Sequence, residues 1–237
     1  MTTEIEKFTP EDFKNGQILV FDKPLEWTSF QLVNKVRWLI RKSCGIKKIK
    51  VGHAGTLDPL ATGVLVICTG KFTKKIPELQ GTKKEYTGTF TLGATTPSYD
   101  METEVDKTFE TSHIAEENLD GAALQLTGEI QQTPPVFSAL KKDGKRLYEY
   151  ARKGEDVKLE SRPVTIHEFE VEAPRFPEVD FRIVCSKGTY IRSMANDFGI
   201  ALGSGAYLSS LKRTRVGEFV IDDALDLPSF EKLLPSA

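Results

Sequence analysis

Gly52-His53-Ala54-Gly55-Thr56-Leu57-Asp58-Pro59-Leu60-Ala61-Thr62-Gly63-Val64 runs directly into the apolar stretch Leu65-Val66-Ile67-Cys68. One carboxylate, Asp58, therefore sits in a glycine-rich turn beside a strand-like segment. Gly52, Gly55 and Gly63 permit positive φ and let a second molecule approach the backbone closely. Pro59 fixes its own φ and biases Asp58 away from helical geometry, so Asp58 is expected on a loop. As a bare pattern, Asp-Pro in such a turn is most often a turn former. A loop carboxylate held at the mouth of a buried strand is also a suitable place for chemistry.

The flanking segments give that loop a setting. Residues 17–21 read as a buried strand entering the turn Asp22-Lys23-Pro24. Thr28 or Ser29 caps a helix with Phe30, Val33, Val36 and Leu39/Ile40 on one side and Lys35, Arg37, Arg41 and Lys42 on the other. Residues 71–79 read as a short basic helix with Pro77 near its end. In residues 85–92, Tyr86, Gly88, Phe90 and Leu92 alternate with Glu85, Thr87, Thr89 and Thr91, the period of a strand. Residues 93–106 read as loop, 114–126 as helix, 131–135 as a break, and 142–145 as a hairpin turn before a short helix. Paired strands are expected at 164–171 and 179–185, a helix at 189–202 ended by Gly203, and short strands at 207–211 and 218–221. No repeat or low-complexity linker interrupts the chain. The pattern predicts one α+β domain over residues 1–237, built on a mixed, largely antiparallel sheet with flanking helices.

Bulk properties narrow the function. The 237 residues are 39% hydrophobic and 28% charged, ordinary for a globular protein. No apolar run approaches the length of a membrane span, and the polar start lacks a signal-peptide core, so a cytoplasmic protein with no membrane partner is expected. Cys44, Cys68 and Cys185 show no ligand or disulfide spacing, and no metal is expected. Net charge is only −2, but it is unevenly distributed. From Lys23 to Lys84 the only acids are Glu26, Asp58 and Glu78 among many lysines and arginines, while acids gather at 100–120 and 222–226. Such segregation suits a polyanion on one face.

Candidate chemistry is sparse. The sequence has no nucleophile elbow, phosphate loop, zinc-protease motif or dinucleotide fingerprint in context. A hydrolytic glycosidase usually needs a second carboxylate across the scissile bond, and no acid sits in a setting comparable to that of Asp58. A single aspartate at a glycosidic bond points to isomerisation rather than hydrolysis. His53 is a candidate base, although a lone histidine is more often structural. Arg192, in the first turn of the 189–202 helix, is placed to pair with a carboxylate or to be a surface cation. Tyr86 could stack on a base or fill the core.

The Asp58 stretch resembles the catalytic signature of the TruB family of tRNA pseudouridine synthases. So do, in order, Asp22-Lys23-Pro24, Lys84-Glu85-Tyr86, residues 133–141, residues 146–152, Ser186-Lys187-Gly188-Thr189-Tyr190-Ile191-Arg192 and Leu208-Ser209-Ser210-Leu211-Lys212-Arg213. The resemblance implies a pseudouridine synthase fold, with about 131–153 forming an insertion that closes over RNA. It implies conversion of uridine 55 in the tRNA T-loop to pseudouridine, without cofactor or metal, by a monomer. Asp58 matches the nucleophile, Tyr86 the aromatic that stacks on the target base, and Arg192 the arginine that pairs with the aspartate. His53 matches a residue that fills the space of the flipped nucleotide, Tyr190 and Leu211 match pocket walls, and Lys23 matches the pocket floor. Many members carry a C-terminal PUA domain, and none is expected here. A synthase acting on another RNA, or a noncatalytic tRNA-folding chaperone, are the competing readings.

Overall fold

The computed structural model describes residues 7–138, 141–142, 144–151, 155, 157 and 159–235. Within the expected insertion, residues 139, 140, 143, 152 and 153 lie outside the described residues, as do 1–6 and 236–237 at the chain ends. The chain divides into two compact units, one of residues 1–84 and 212–237 and the other of residues 85–211.

The first unit opens with α1 (Pro10–Asn15), β1 (Ile18–Lys23), α2 (Ser29–Cys44), β2 (Val51–His53), β3 (Ala61–Thr69), a 3₁₀ turn (Gly70–Lys75) and α3 (Ile76–Gly81). β1 and β2 both pair antiparallel with β3, Lys23 opposite Gly63 and His53 opposite Ile67. Thr28 caps α2 in a reciprocal box with Gln31, and left-handed Gly45 ends it. The apolar face of α2 is Leu32, Val33, Val36, Leu39 and Ile40, which pack with Phe13, Phe21, Leu65, Ile67 and Phe230. Phe30, expected on that face, is instead 65% exposed. At roughly 100° per residue it points about a quarter-turn or more away from the core stripe. Pro77 falls in the first turn of α3, not near its end, where its missing N–H leaves no intrahelical bond unmade.

The second unit holds β4 (Lys84–Leu92), β5 (Ala94–Thr95), β6 (Lys107–Thr108), α4 (Glu116–Gln125), β7 (Gly128–Gln132), β8 (Lys141–Lys142), β9 (Lys145–Arg146), α5 (Leu147–Ala151), β10 (Arg162–Arg175), β11 (Glu178–Cys185), α6 (Ile191–Ala201) and the start of β12 (Ala206–Val216). Its strand order is β12-β4-β11-β10-β7, with β10 antiparallel to both β11 and β7. Phe90 stacks on Phe181 at 4.2 Å between ring centroids, and Phe198 of α6 packs on Phe90 and Phe169. Gln131 and Gln132, expected in a break, complete β7 because their backbone pairs with Pro163 and Arg162. β10 likewise continues through Pro174, beyond the expected end.

The chain re-enters the first unit through the end of β12, followed by β13 (Phe219–Val220), a 3₁₀ turn (Ile221–Asp223) and α7 (Leu227–Lys232). β12 is about twice the expected length. The architecture is α+β with a large sheet and flanking helices, as the patterning predicted. Cys68 and Cys185 are buried small core residues, as expected. Among the described residues no helix is long and apolar enough to cross a membrane.

Candidate active site

Asp58 lies on the loop between β2 and β3, half-buried. That loop is fixed from several sides within the first unit. Lys23, at the end of β1, is fully buried, and its Nζ donates to the carbonyls of Pro24 (2.8 Å), Trp27 (2.6 Å) and Pro59 (3.3 Å). One ammonium thus joins the turn after β1 to the residue following Asp58. Burial lowers the Lys23 pKa to about 8, against the pull of the Asp58 and Asp22 carboxylates and with the push of Arg213. Ser29, the first residue of α2, accepts from the Leu57 N–H (2.9 Å) and donates to the Leu57 carbonyl (3.0 Å). Asp22 accepts from the Gly63 N–H at 3.0 Å. Glu26 donates its backbone N–H to the Pro59 carbonyl at 2.8 Å.

Arg213, on β12, completes the frame. It is 1% exposed. Its Nε donates to the Val64 carbonyl (2.8 Å), Nη2 to Gly55 (3.1 Å) and Nη1 to Thr56 (3.4 Å). The planar, five-donor guanidinium suits several carbonyls at once, which an ammonium serves less well. Gly63 makes the approach possible. Its φ is +102°, and a Cβ there would lie 2.2 Å from the Arg213 carbonyl oxygen. His53 ends β2 at the edge of the loop. Burial holds its imidazole below the usual histidine range, partly opposed by a hydrogen bond with the Gly55 backbone and reinforced by Arg213. The balance of these effects favours the neutral ring over the charged one.

The remaining sequence-predicted residues belong to the second unit. Tyr86 is buried on β4, and Leu211 is half-buried on the neighbouring β12. Tyr190 immediately precedes α6, and Arg192 occupies its first turn as expected. The side chain of Gln132, fully buried, clamps the Tyr190 backbone in both directions: Oε1 accepts from its N–H (2.8 Å) and Nε2 donates to its carbonyl (3.1 Å). Ser193 donates to the Thr133 carbonyl at 2.7 Å. The Arg162 guanidinium covers the Tyr190 ring, 5.0 Å from its centroid. Arg192 is only 4% exposed; its Nη1 donates to the Ser98 carbonyl at 3.3 Å and its Nε lies 3.6 Å from the Asp100 carboxylate.

The structure thus gathers Lys23, His53 and Asp58 in one unit, and Tyr190 and Arg192 at one helix start in the other. Sequence reasoning missed Ser29, Arg213, Gln132 and Asp100. Asp100 falls in the segment 93–106 that reads as polar loop and opens the acidic stretch 100–120, but it is 5% exposed and lies against the buried Arg192. Arg213 ends the segment 208–213 that carries the family resemblance, but no role attaches to it from sequence. Nothing local distinguishes either residue from its neighbours. Among the described residues no cluster of three or more His, Cys, Asp or Glu could hold a metal ion.

Residues 41–191 match the TruB family pseudouridylate synthase N-terminal domain. The chain is 60% identical over 227 residues to the tRNA pseudouridine synthase B of Flavobacterium johnsoniae, covering 95% of this chain and 99% of that one. It is 56% identical over 223 residues to the tRNA pseudouridine synthase B of Phocaeicola vulgatus, covering 94% and 95%. Among solved structures it aligns, with a TM-score of 0.68 and 27% identity, to a chain in the crystal structure of a Cbf5-Nop10-Gar1 complex; all of this chain and 66% of that one are covered. Together with the fold, these matches show that the chain belongs to the TruB family of pseudouridylate synthases.

Proposed function

We propose that this chain isomerises uridine 55 in the T-loop of tRNA to pseudouridine, with Asp58 as the residue that attacks the flipped nucleotide. The N1–C1′ bond breaks, the base turns, a C5–C1′ bond forms, and the C5 proton leaves while N1 gains one. No atom is added or lost overall. Tyr86 stacks on the base, Arg192 orients the carboxylate, Tyr190 and Leu211 wall the pocket, and His53 fills the space the nucleotide vacates. Lys23 forms the floor.

The observation that carries this reading is the bracing of the Asp58 loop by two buried cations, Lys23 and Arg213, and by the Ser29 hydroxyl. A nucleophile must meet its target in near-attack geometry, and a loop tied by its own carbonyls to buried donors does not have to reorganise when the substrate arrives. The reacting base must first leave its stack, at a cost of a few kcal/mol. Contacts to phosphates elsewhere on the RNA offset that cost.

The test is tritium release from C5-labelled uridine in tRNA transcripts, with carbodiimide mapping of the product nucleotide. Asp58→Asn should lower the single-turnover rate by at least about a thousandfold without losing tRNA binding. Parental rates in the amide variant, or product at another nucleotide, would refute the assignment.

A further inference from the structure

At the far end of β3 from Asp58, the first unit carries a cleft of about 290 Å³ lined by Lys14, Lys48, Lys50, Lys71 and Lys74, with Thr73 and Gly70 among its walls. The cleft is built from three packed segments. Gly70 donates its N–H to the Lys50 carbonyl at 2.9 Å. Its φ is +52°, and a Cβ there would lie 2.2 Å from the Lys14 carbonyl oxygen. Thr69 ties the same corner to α1 by donating to the Phe13 carbonyl at 3.0 Å. The backbone beneath the five lysines is therefore fixed, while all five ammonium-bearing side chains are exposed.

Charge within the cleft is not balanced. Lys14 pairs with Glu11 at 2.9 Å, and Lys71 donates to the neutral Asn15 side chain at 3.0 Å. Among the described residues no ion pair is recorded for Lys48, Lys50 or Lys74, and no carboxylate lines the cleft. Holding five cations together in a chain whose net charge is −2 costs self-repulsion that an anion relieves. The form of the site indicates which anion. A free phosphate is gripped by converging backbone N–H groups or by bidentate arginines. Flexible, spaced ammonium groups suit a polyanion whose phosphates recur along a track.

We propose that this cleft binds the sugar-phosphate backbone of the RNA substrate, in a stem remote from the reacting uridine. The proposal rests on the reading that the chain acts on tRNA. Its distance from the chemistry follows from β3 itself. The Ala61 N–H donates to the Asp58 carbonyl at one end, and Gly70 lines the cleft just past the other. A nine-residue strand spans about 26 Å. A contact that far away is several base steps removed from the flipped nucleotide, so it contributes affinity and register rather than chemistry.

The experiment compares the parent with Lys48→Gln/Lys50→Gln/Lys74→Gln and with the matching triple arginine variant. Binding of whole tRNA and of an isolated T-arm hairpin is measured across a salt series, alongside single-turnover rates at saturating RNA. For whole tRNA, the glutamine variant should bind about tenfold or more weakly at low salt, and its log–log salt slope should fall by about two to three. Its rate at saturation should be unchanged, its hairpin affinity much less affected, and the arginine variant should behave as the parent. Unchanged tRNA affinity and slope in the glutamine variant would overturn the proposal, as would equal losses in the arginine variant. Equal losses on hairpin and whole tRNA would overturn the placement on a remote stem. Saturable binding of inorganic phosphate that the parent shows and the glutamine variant lacks, together with unchanged tRNA affinity in that variant, would identify a free-anion site instead and overturn the proposal. Failure of the parent itself to make pseudouridine in tRNA would be a separate result, against the function proposed above.

Discussion

Asp58 is one of three charged side chains on which the proposed function turns, and the other two are defined by what they touch. Arg192 lies in the first turn of α6, with the Ser98 carbonyl and the Asp100 carboxylate against its guanidinium. An arginine fixed in this way can orient another group without itself reorganising. Arg192→Ala should therefore lower the single-turnover rate at saturating tRNA by about a hundredfold or more and leave tRNA affinity nearly intact. Asp100→Asn should shift the rate in the same direction by a smaller factor. A collapse of affinity with a surviving rate would contradict both. Lys23 gives a prediction in pH. In the fold it releases its proton near 8, against an ordinary value of 10.5. Between those values the unfolded chain binds more protons, so this residue's contribution to stability rises from pH 8 toward 10.5 and is lost as pH falls back through 8. Urea unfolding of the parent and of Lys23→Met at several pH values across that window tests this. The parent should gain stability relative to the variant as pH rises, and parallel curves would refute it.

The secondary-structure elements matter through their ends. β1 ends in Lys23, α2 begins with Ser29, β2 ends in His53, and β3 begins just after Asp58. Each strand or helix is rigid, so each terminus delivers a side chain to the loop at a fixed place. β12 contributes from its interior, where Arg213 donates to two loop carbonyls, Gly55 and Thr56, and to the Val64 carbonyl of β3. The tight fit of Gly63 against that strand is a test of the frame. Gly63→Ala combines a positive φ with a clash against backbone and should destabilise by about 3 kcal/mol or more. In a chain of this size that is roughly 6–12 °C in Tm. Gly45→Ala is the control: its φ is +64° but nothing lies within 4 Å of the added Cβ. It should cost only about 1 kcal/mol, and equal Tm losses in the two variants would show that packing against β12 does not matter.

For the molecule as a whole, the proposed function and the proposed lysine-cleft contact assign chemistry and affinity to different surfaces. The groups proposed to meet the reacting nucleotide belong to the Asp58 loop of one unit and to the start of α6 in the other, while the lysine cleft lies about 26 Å along β3 from Asp58. An isolated T-arm hairpin should then react at saturation within about threefold of whole tRNA, while binding less tightly. A hairpin rate more than about tenfold lower at saturation would mean that distant contacts do organise the catalytic loop. Net charge gives no hint of this division. At −2 it hides a basic segment over 23–84, which supplies four of the five cleft lysines, and acidic stretches at 100–120 and 222–226.

Local patterning was enough to read the elements near the loop. The glycines and Pro59 placed Asp58 on a turn, Thr28 or Ser29 marked the start of α2, and the two-residue alternation after Glu85 identified β4. Such features depend on φ/ψ preferences and on periodicity over a few residues. The supporting residues could not be read that way. Arg213 reaches carbonyls 149 to 158 positions away, and Arg192 finds Ser98 at a separation of 94. Asp100 and Arg213 look solvated in sequence because charged residues usually are. Burial of a charge requires partners that compensate its lost hydration, and here those partners come from segments that only the packed fold brings together. Phe30 shows the converse: an apolar residue at a helix start stayed outside because the core stripe had already passed it.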